Sequence, residues 1–165
     1  MSRYSSLFTG GNAEQDPTLK TAYRILFVDD EPNVLSALRR IFRRENYQID
    51  TAMSGAEALQ LLKENEYQLV ISDHKMPQMN GAEFLRRVKA LHPATIRIML
   101  TGEADTGAVL GAINDGAVYK FILKPWNDDD LRITVGLALE QYDLIAKNKK
   151  LAADNTNKSK EIKNL

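Results

Sequence analysis

The sequence predicts an α/β fold in which helices cover both faces of a doubly wound, five-stranded parallel sheet. Three observations predict it. Short apolar runs recur along the chain, separated by segments that carry apolar residues at helical spacing. The runs are continuous, as in Ile25-Leu26-Phe27-Val28 and Leu69-Val70-Ile71, which is the pattern of strands buried on both faces. The connections are short, and strict strand–helix alternation with short connections requires a parallel sheet.

Taken in order, residues 1–22 are rich in Ser, Gly, Asn and Gln and lack periodicity, which predicts a disordered tail. Arg24 to Val28 is the first strand. It runs into Asp29-Asp30-Glu31-Pro32, and Pro32 suits the first turn of a helix, where its missing N–H costs nothing. That helix places Val34, Leu35, Leu38, Ile41 and Phe42 on one stripe and leaves Arg39, Arg40, Arg43 and Arg44 off it. Tyr47 to Ala52 alternates as a short second strand. Ser54, with Glu57 at the capping-box position, starts a helix that turns Ala58, Leu59 and Leu62 inward.

The third strand contains Leu69, Val70 and Ile71 and stops at Asp73, before a loop rich in turn residues that ends at Gly81. The next helix buries Phe84, Leu85, Val88 and Leu91. His92-Pro93 ends it, because the residue before proline avoids the helical region. Thr95 to Leu100 is the fourth strand, followed by Thr101-Gly102-Glu103. A weaker helix with Ala108, Val109, Ala112 and Ile113 closes at Gly116. Val118 to Leu123 is the fifth strand and leads into Lys124-Pro125-Trp126. Asn127 caps the last helix, whose positive end suits Asp128, Asp129 and Asp130.

The last helix outgrows the domain, since no Pro or Gly interrupts Leu137 to Leu165. Leu137, Leu144, Leu151 and Leu165 share one heptad position, with Lys158 breaking the series, and Gln141, Asn148, Asn155 and Ile162 fall on its partner position. Leucines at d with polar residues at a describe a weak, register-specifying coiled coil; the competing reading is a frayed, solvated helical tail. Six lysines between Lys147 and Leu165 face only Asp154 and Glu161, and this basicity reads as a solvated face. The organisation expected is a tail (1–22), one folded domain (23–146) and a helical extension (147–165).

Composition narrows the classes. The 165 residues suit one domain with appendages, and a 44% apolar share is enough for a packed core. Lys and Arg total 22 and so do Asp and Glu, so overall charge makes no case for nucleic acid. The absence of cysteine removes disulfide and thiol chemistry. The first residues hold no apolar signal region, and no stretch approaches the roughly 18 apolar residues of a membrane span. A soluble cytoplasmic protein is the expectation.

The unusual polar residues all fall at strand ends. Asp29 and Asp30 end the first strand, Asp73 the third, Thr101 the fourth and Lys124 the fifth. In an open parallel sheet, the carboxyl ends of the strands form the ligand crevice. Each residue alone has a plain structural role: a turn aspartate, a helix cap or a surface lysine. Together they suit one reaction. Three clustered carboxylates require raised pKa values or a cation, and a few hard oxygen ligands favour Mg2+. A carboxylate attacks phosphorus to give an aspartyl phosphate. A metal and an ammonium neutralise the transferring oxygens, and a threonine hydroxyl can hydrogen-bond the product.

Val28-Asp29-Asp30-Glu31, Ser72-Asp73 with Met76-Pro77 and Gly81, Thr101-Gly102-Glu103 and Lys124-Pro125 together resemble the bacterial response-regulator receiver domain over roughly residues 24–145. The resemblance implies a flavodoxin-like sheet of order 2-1-3-4-5 and a phosphorelay switch. Asp73 would accept phosphate from a sensor histidine kinase or phosphotransfer protein. Asp29, Asp30, Asp73 and the backbone carbonyl of Lys75 would hold Mg2+. Thr101 would be the switch hydroxyl and Phe121 the aromatic that moves with it, with Tyr119 as a competing ring. Lys124 would meet the phosphoryl group, and its bond to Pro125 would be cis.

The signalling face would be the fourth helix, fifth strand and fifth helix. Lys75 is placed to approach Glu103 and so to tune the lifetime of the phosphate, whereas His74 reads as a loop residue and Trp126 as a packing residue. Lys-Pro-Trp before a long helix resembles receivers wired to cyclic-dinucleotide enzymes or kinases, with a homodimer through that helix. The alternatives are a Mg2+-dependent phosphatase with an aspartyl nucleophile and an interaction module that is never phosphorylated.

Overall fold

The computed structural model describes residues 22–102 and 106–163. Residues 1–21, Glu103 and Leu165 lie outside the described residues, as do the side chains of Ala108 and of residues 154–163. Five strands alternate with five helices: β1 (Tyr23–Val28), α1 (Pro32–Ile41), β2 (Tyr47–Ala52), α2 (Gly55–Glu64), β3 (Leu69–Asp73), α3 (Gly81–Leu91), β4 (Ile96–Thr101), α4 (Thr106–Asn114), β5 (Lys120–Leu123) and α5 (Asp128–Lys163). The sheet has the order β2-β1-β3-β4-β5 and every pairing is parallel. All strand carboxyl ends therefore point the same way.

Because side chains alternate across a strand, each continuous apolar run feeds two cores. Leu26, Val28, Val70 and Met99 pack under α2, α3 and α4, with Leu62, Phe84, Leu85 and Val109. Ile25, Phe27, Ile71, Ile98 and Leu100 pack under α1 and α5, with Leu35, Leu38, Leu131 and Val135. The two buried faces explain why the strands are not amphipathic.

The helix starts follow local chemistry. Ser54 Oγ accepts the Glu57 N–H at 3.1 Å, and the Glu57 carboxylate reaches back to the Met53 N–H at 3.0 Å. Asn80 Oδ1 accepts the Glu83 N–H at 2.9 Å, and Asn127 Oδ1 the Asp130 N–H at 3.0 Å. Helix α4 closes at Gly116, whose φ of +73° falls where a side chain is strained.

The fifth strand is shorter than its apolar run. The run starts at Val118, but β5 begins at Lys120. The Arg97 guanidinium lies beside the turn ahead of β5. It donates to the carbonyls of Ala117 (2.8 Å) and Gly116 (3.3 Å) ahead of β5 and to those of Thr95 (2.7 Å) and Pro93 (3.3 Å) ahead of β4. Leu91, expected inside, is exposed at the end of α3. There the helix runs past the edge of the core.

Candidate functional site

The site lies at the carboxyl ends of β1, β3, β4 and β5. Asp29 and Asp73 are buried and Asp30 is partly exposed, and one carboxylate oxygen from each lies within 4.8 Å of the others. Asp29 Oδ1 accepts the Glu31 N–H at 2.9 Å, so this side chain also shapes the turn into α1. Its other oxygen, Oδ2, accepts from Lys124 Nζ at 3.3 Å, and the same ammonium lies 2.9 Å from Asp73 Oδ1. The Lys124–Pro125 peptide is cis.

Electrostatics follow from burial. Desolvation pushes the Asp29 carboxyl above its ordinary value, and the neighbouring Asp73 charge adds to this; the Glu31 N–H and Lys124 oppose both without cancelling them. Burial alone would lower the Lys124 ammonium, but its hydrogen bond to Asp73 and the charges of Asp73 and Asp29 outweigh that and hold it above the usual lysine range. Three carboxylates and one ammonium leave the cluster negative. The donor set is all oxygen, partly solvated and undercompensated, which fits a hard divalent cation.

Other expected residues take distinct places. Thr101 is buried at the end of β4, and its hydroxyl donates to the Gly102 carbonyl at 3.2 Å. Phe121 is partly buried against the core beneath α3 and α4, whereas Tyr119 is exposed. Lys75 is exposed in the loop after β3, and its expected partner Glu103 is outside the described residues.

His74 lies just past β3, in the loop where it was expected. It is buried, its N–H donates to the Leu100 carbonyl at 3.0 Å, and Nδ1 has no hydrogen-bond partner among the described residues. β3 itself ends at Asp73, and this backbone hydrogen bond holds His74 beside the end of β4.

Gly81 has a positional role that the linear pattern does not show. A Cβ there would stand 2.3 Å from the Asp73 carbonyl oxygen and 2.8 Å from His74 Cα. The Gly81 N–H donates to the His74 carbonyl at 2.8 Å. The start of α3 is therefore pressed directly onto the backbone that carries Asp73. A glycine at a helix start soon after a polar strand end was the available signal, but it says nothing about which backbone approaches.

A doubly wound sheet whose strand tips gather an acidic cluster and a lysine is the arrangement expected of a receiver-type domain. Residues 25–136 match the response regulator receiver domain family, and the chain belongs to it. It is 36% identical over 120 residues to the hydrogenase transcriptional regulatory protein HoxA of Cupriavidus necator, a match covering 73% of this chain and 25% of HoxA. The chain thus spans about a quarter of the length of the curated relatives it matches.

Among solved structures, it resembles the adenylate cyclase from Rhodopirellula baltica (TM-score 0.76, 30% identity, 81% of this chain and 98% of that one). It also resembles the signal receiver domain of an HD domain-containing protein from Pseudomonas fluorescens (TM-score 0.73, 36% identity, 76% of this chain and 93% of that one). The chain is therefore a receiver domain of two-component signalling, with the sheet order that its motifs implied.

Proposed function

We propose that Asp73 is the phosphoacceptor of this receiver and that Asp29, Asp30 and Lys124 serve it. The observation that carries this reading is the Lys124 ammonium at 2.9 Å from Asp73 and 3.3 Å from Asp29, beside the third carboxylate. Asp29, Asp30, Asp73 and the Lys75 carbonyl would hold Mg2+. When bound, the ion would neutralise the phosphoryl oxygens during transfer.

An Asp73 oxygen attacks phosphorus, the bond from phosphorus to the donor histidine nitrogen breaks, and that nitrogen keeps the electron pair. Lys124 stays against the transferred group as a fixed positive charge. Thr101, one strand away, turns its hydroxyl from the Gly102 carbonyl to a phosphoryl oxygen, and Phe121 follows into the vacated space. The phosphate shifts this equilibrium only by its difference in interaction with the two states. The reaction is a single labelling per chain in a cytoplasmic relay, not turnover.

The output runs through α5. Leu131, Val135, Ala138 and Leu139 are buried in the domain, while Ile133, Leu137, Leu144 and Leu151 on the opposite face are 50–61% exposed. A second copy suits that face. Gln141 and Asn148 each carry a donor and an acceptor and can pair with themselves across a parallel two-fold seam. The likeness to the adenylate cyclase and HD-domain structures supports a cyclic-nucleotide or cyclic-dinucleotide output region beyond this segment.

The test is labelling by acetyl phosphate with Mg2+, followed by intact mass. One phosphoryl group is expected on the native chain and none on a folded Asp73→Asn variant. Labelling of that variant would remove Asp73 as acceptor, and sustained phosphate release would favour a phosphatase.

A further inference from the structure

Among the described residues, His74 Nδ1 is a buried side-chain nitrogen without a hydrogen-bond partner. Other buried polar side chains do not share this. The hydroxyls of Ser72, Thr95 and Thr101 donate to the carbonyls of Asp73 (2.8 Å), Tyr67 (2.7 Å) and Gly102 (3.2 Å). An unpaired polar atom in a buried position is costly, and neither Mg2+ binding nor phosphoryl transfer as described above uses this one.

The backbone of His74 is clamped. Its N–H donates to the Leu100 carbonyl at 3.0 Å, its carbonyl accepts the Gly81 N–H at 2.8 Å, and the start of α3 presses on its Cα. Strand register identifies the neighbouring residue. Ser72 pairs with Met99, and Asp73 with Leu100. Side chains alternate across a sheet: Met99 faces the core under α2, α3 and α4, and Leu100 faces the opposite core. Thr101, two residues after Met99, shares the face of Met99. His74, two residues after Ser72, leaves the neighbouring strand end on that same face. Both residues are buried.

We propose that His74 is a positioning residue for the switch: in the phosphorylated state its Nδ1–H donates to the Thr101 hydroxyl oxygen while that hydroxyl donates to the phosphoryl group. The proposal rests on the reading that Thr101 turns from the Gly102 carbonyl to a phosphoryl oxygen. A threonine hydroxyl offers one hydrogen and two lone pairs. Here its hydrogen is directed at Gly102, and the imidazole beside it is left unpaired.

Once the hydroxyl turns toward Asp73, a lone pair becomes available to the neighbouring strand end. The Gly102 carbonyl that it leaves belongs to a partly exposed residue and passes to solvent. No proton changes hands, because the imidazole stays neutral throughout. A nitrogen that gains its partner only after transfer favours the phosphorylated state, and such a differential interaction is what shifts a two-state equilibrium.

Beryllofluoride with Mg2+ stands in for the phosphoryl group, and its affinity for the full 165-residue chain, measured by calorimetry, tests the proposal. His74→Leu should bind it about 10-fold more weakly, the scale of one lost buried hydrogen bond. Without beryllofluoride the same variant should melt at or above the native temperature, because a buried unpaired nitrogen has been removed. His74→Asn, whose amide donates from the Nδ1 position, should restore most of the affinity. His74→Gln, whose amide lies one carbon farther out, should not. In a Thr101→Val background, His74→Leu should cost no further affinity. The chain has two histidines, so isotopically labelled histidine, with His92→Gln for assignment, should show a protonated His74 Nδ1 whose resonance moves when beryllofluoride binds.

Native affinity in His74→Leu, an equal loss with and without the Thr101 hydroxyl, or a His74 Nδ1 resonance that beryllofluoride leaves in place would overturn the proposal while leaving the reading of Thr101 intact. Native affinity in Thr101→Val alone would overturn that reading, and the proposal with it.

Discussion

Lys124 Nζ lies 2.9 Å from Asp73 Oδ1. The same ammonium is 3.3 Å from Asp29 Oδ2, so one side chain from the end of β5 ties together carboxylates from β3 and β1. Its removal should separate two functions. Lys124→Met leaves the acidic cluster more negative, and Mg2+ should bind at least as tightly. Labelling of Asp73 by acetyl phosphate should slow by roughly 100-fold, the usual scale for losing one group that stabilises developing charge. Mg2+ titration followed by Trp126 emission, with intact mass for labelling, reads both. Unchanged labelling would take Lys124 out of the transfer step.

Asp29 carries a stability signature. Its carboxyl is raised by burial and by the Asp73 charge. A group raised on folding contributes stability below its unfolded pKa, and that contribution is lost as pH rises through the folded pKa. Without Mg2+, Asp29→Asn should therefore melt above the native chain near neutral pH. The gap should close as pH falls below the ordinary aspartate value of about 3.9. Saturating Mg2+ should raise the native melting temperature and leave the variant nearly unmoved. Melting curves from about pH 3 to about pH 8 check this window; a gap that does not vary with pH would contradict the assignment.

Gly81 should not tolerate a methyl group. The added carbon of Gly81→Ala would overlap the Asp73 carbonyl at 2.3 Å, and backbone cannot rotate away as a side chain can. A loss of roughly 2–3 kcal/mol is expected by urea unfolding, with slower Asp73 labelling in whatever protein remains folded. Native-like stability would mean that the start of α3 shifts freely.

The exposed stripe of α5 should control association. Leu144→Lys places a charge on the face opposite Leu131, Val135, Ala138 and Leu139, so the domain should keep its fold while sedimentation shifts from dimer to monomer. A native chain that is already monomeric, with and without beryllofluoride and Mg2+, would end the dimer proposal.

The alternation of strands and helices was legible along the chain because both faces of the sheet are covered. Continuous apolar runs such as Leu69-Val70-Ile71 have no other economical reading. The site was legible for a related reason. Parallel strands all point one way, so polar residues at their ends converge whatever the details of packing, and Asp29, Asp30, Asp73 and Lys124 did converge.

Three features depended on approach distances that no spacing encodes. Gly81 matters through a backbone 2.3 Å from a carbon it lacks. His74 is buried in the loop after β3, where its backbone N–H meets the Leu100 carbonyl. The Arg97 guanidinium, from the neighbouring strand, meets the carbonyls of Gly116 and Ala117 ahead of the fifth strand. Periodicity reports which side of an element meets the core, and so it reached the fold and the strand-end cluster. Which atoms touch across elements is settled only when the helices dock, and there the position of Asp73 and the burial of His74 were decided.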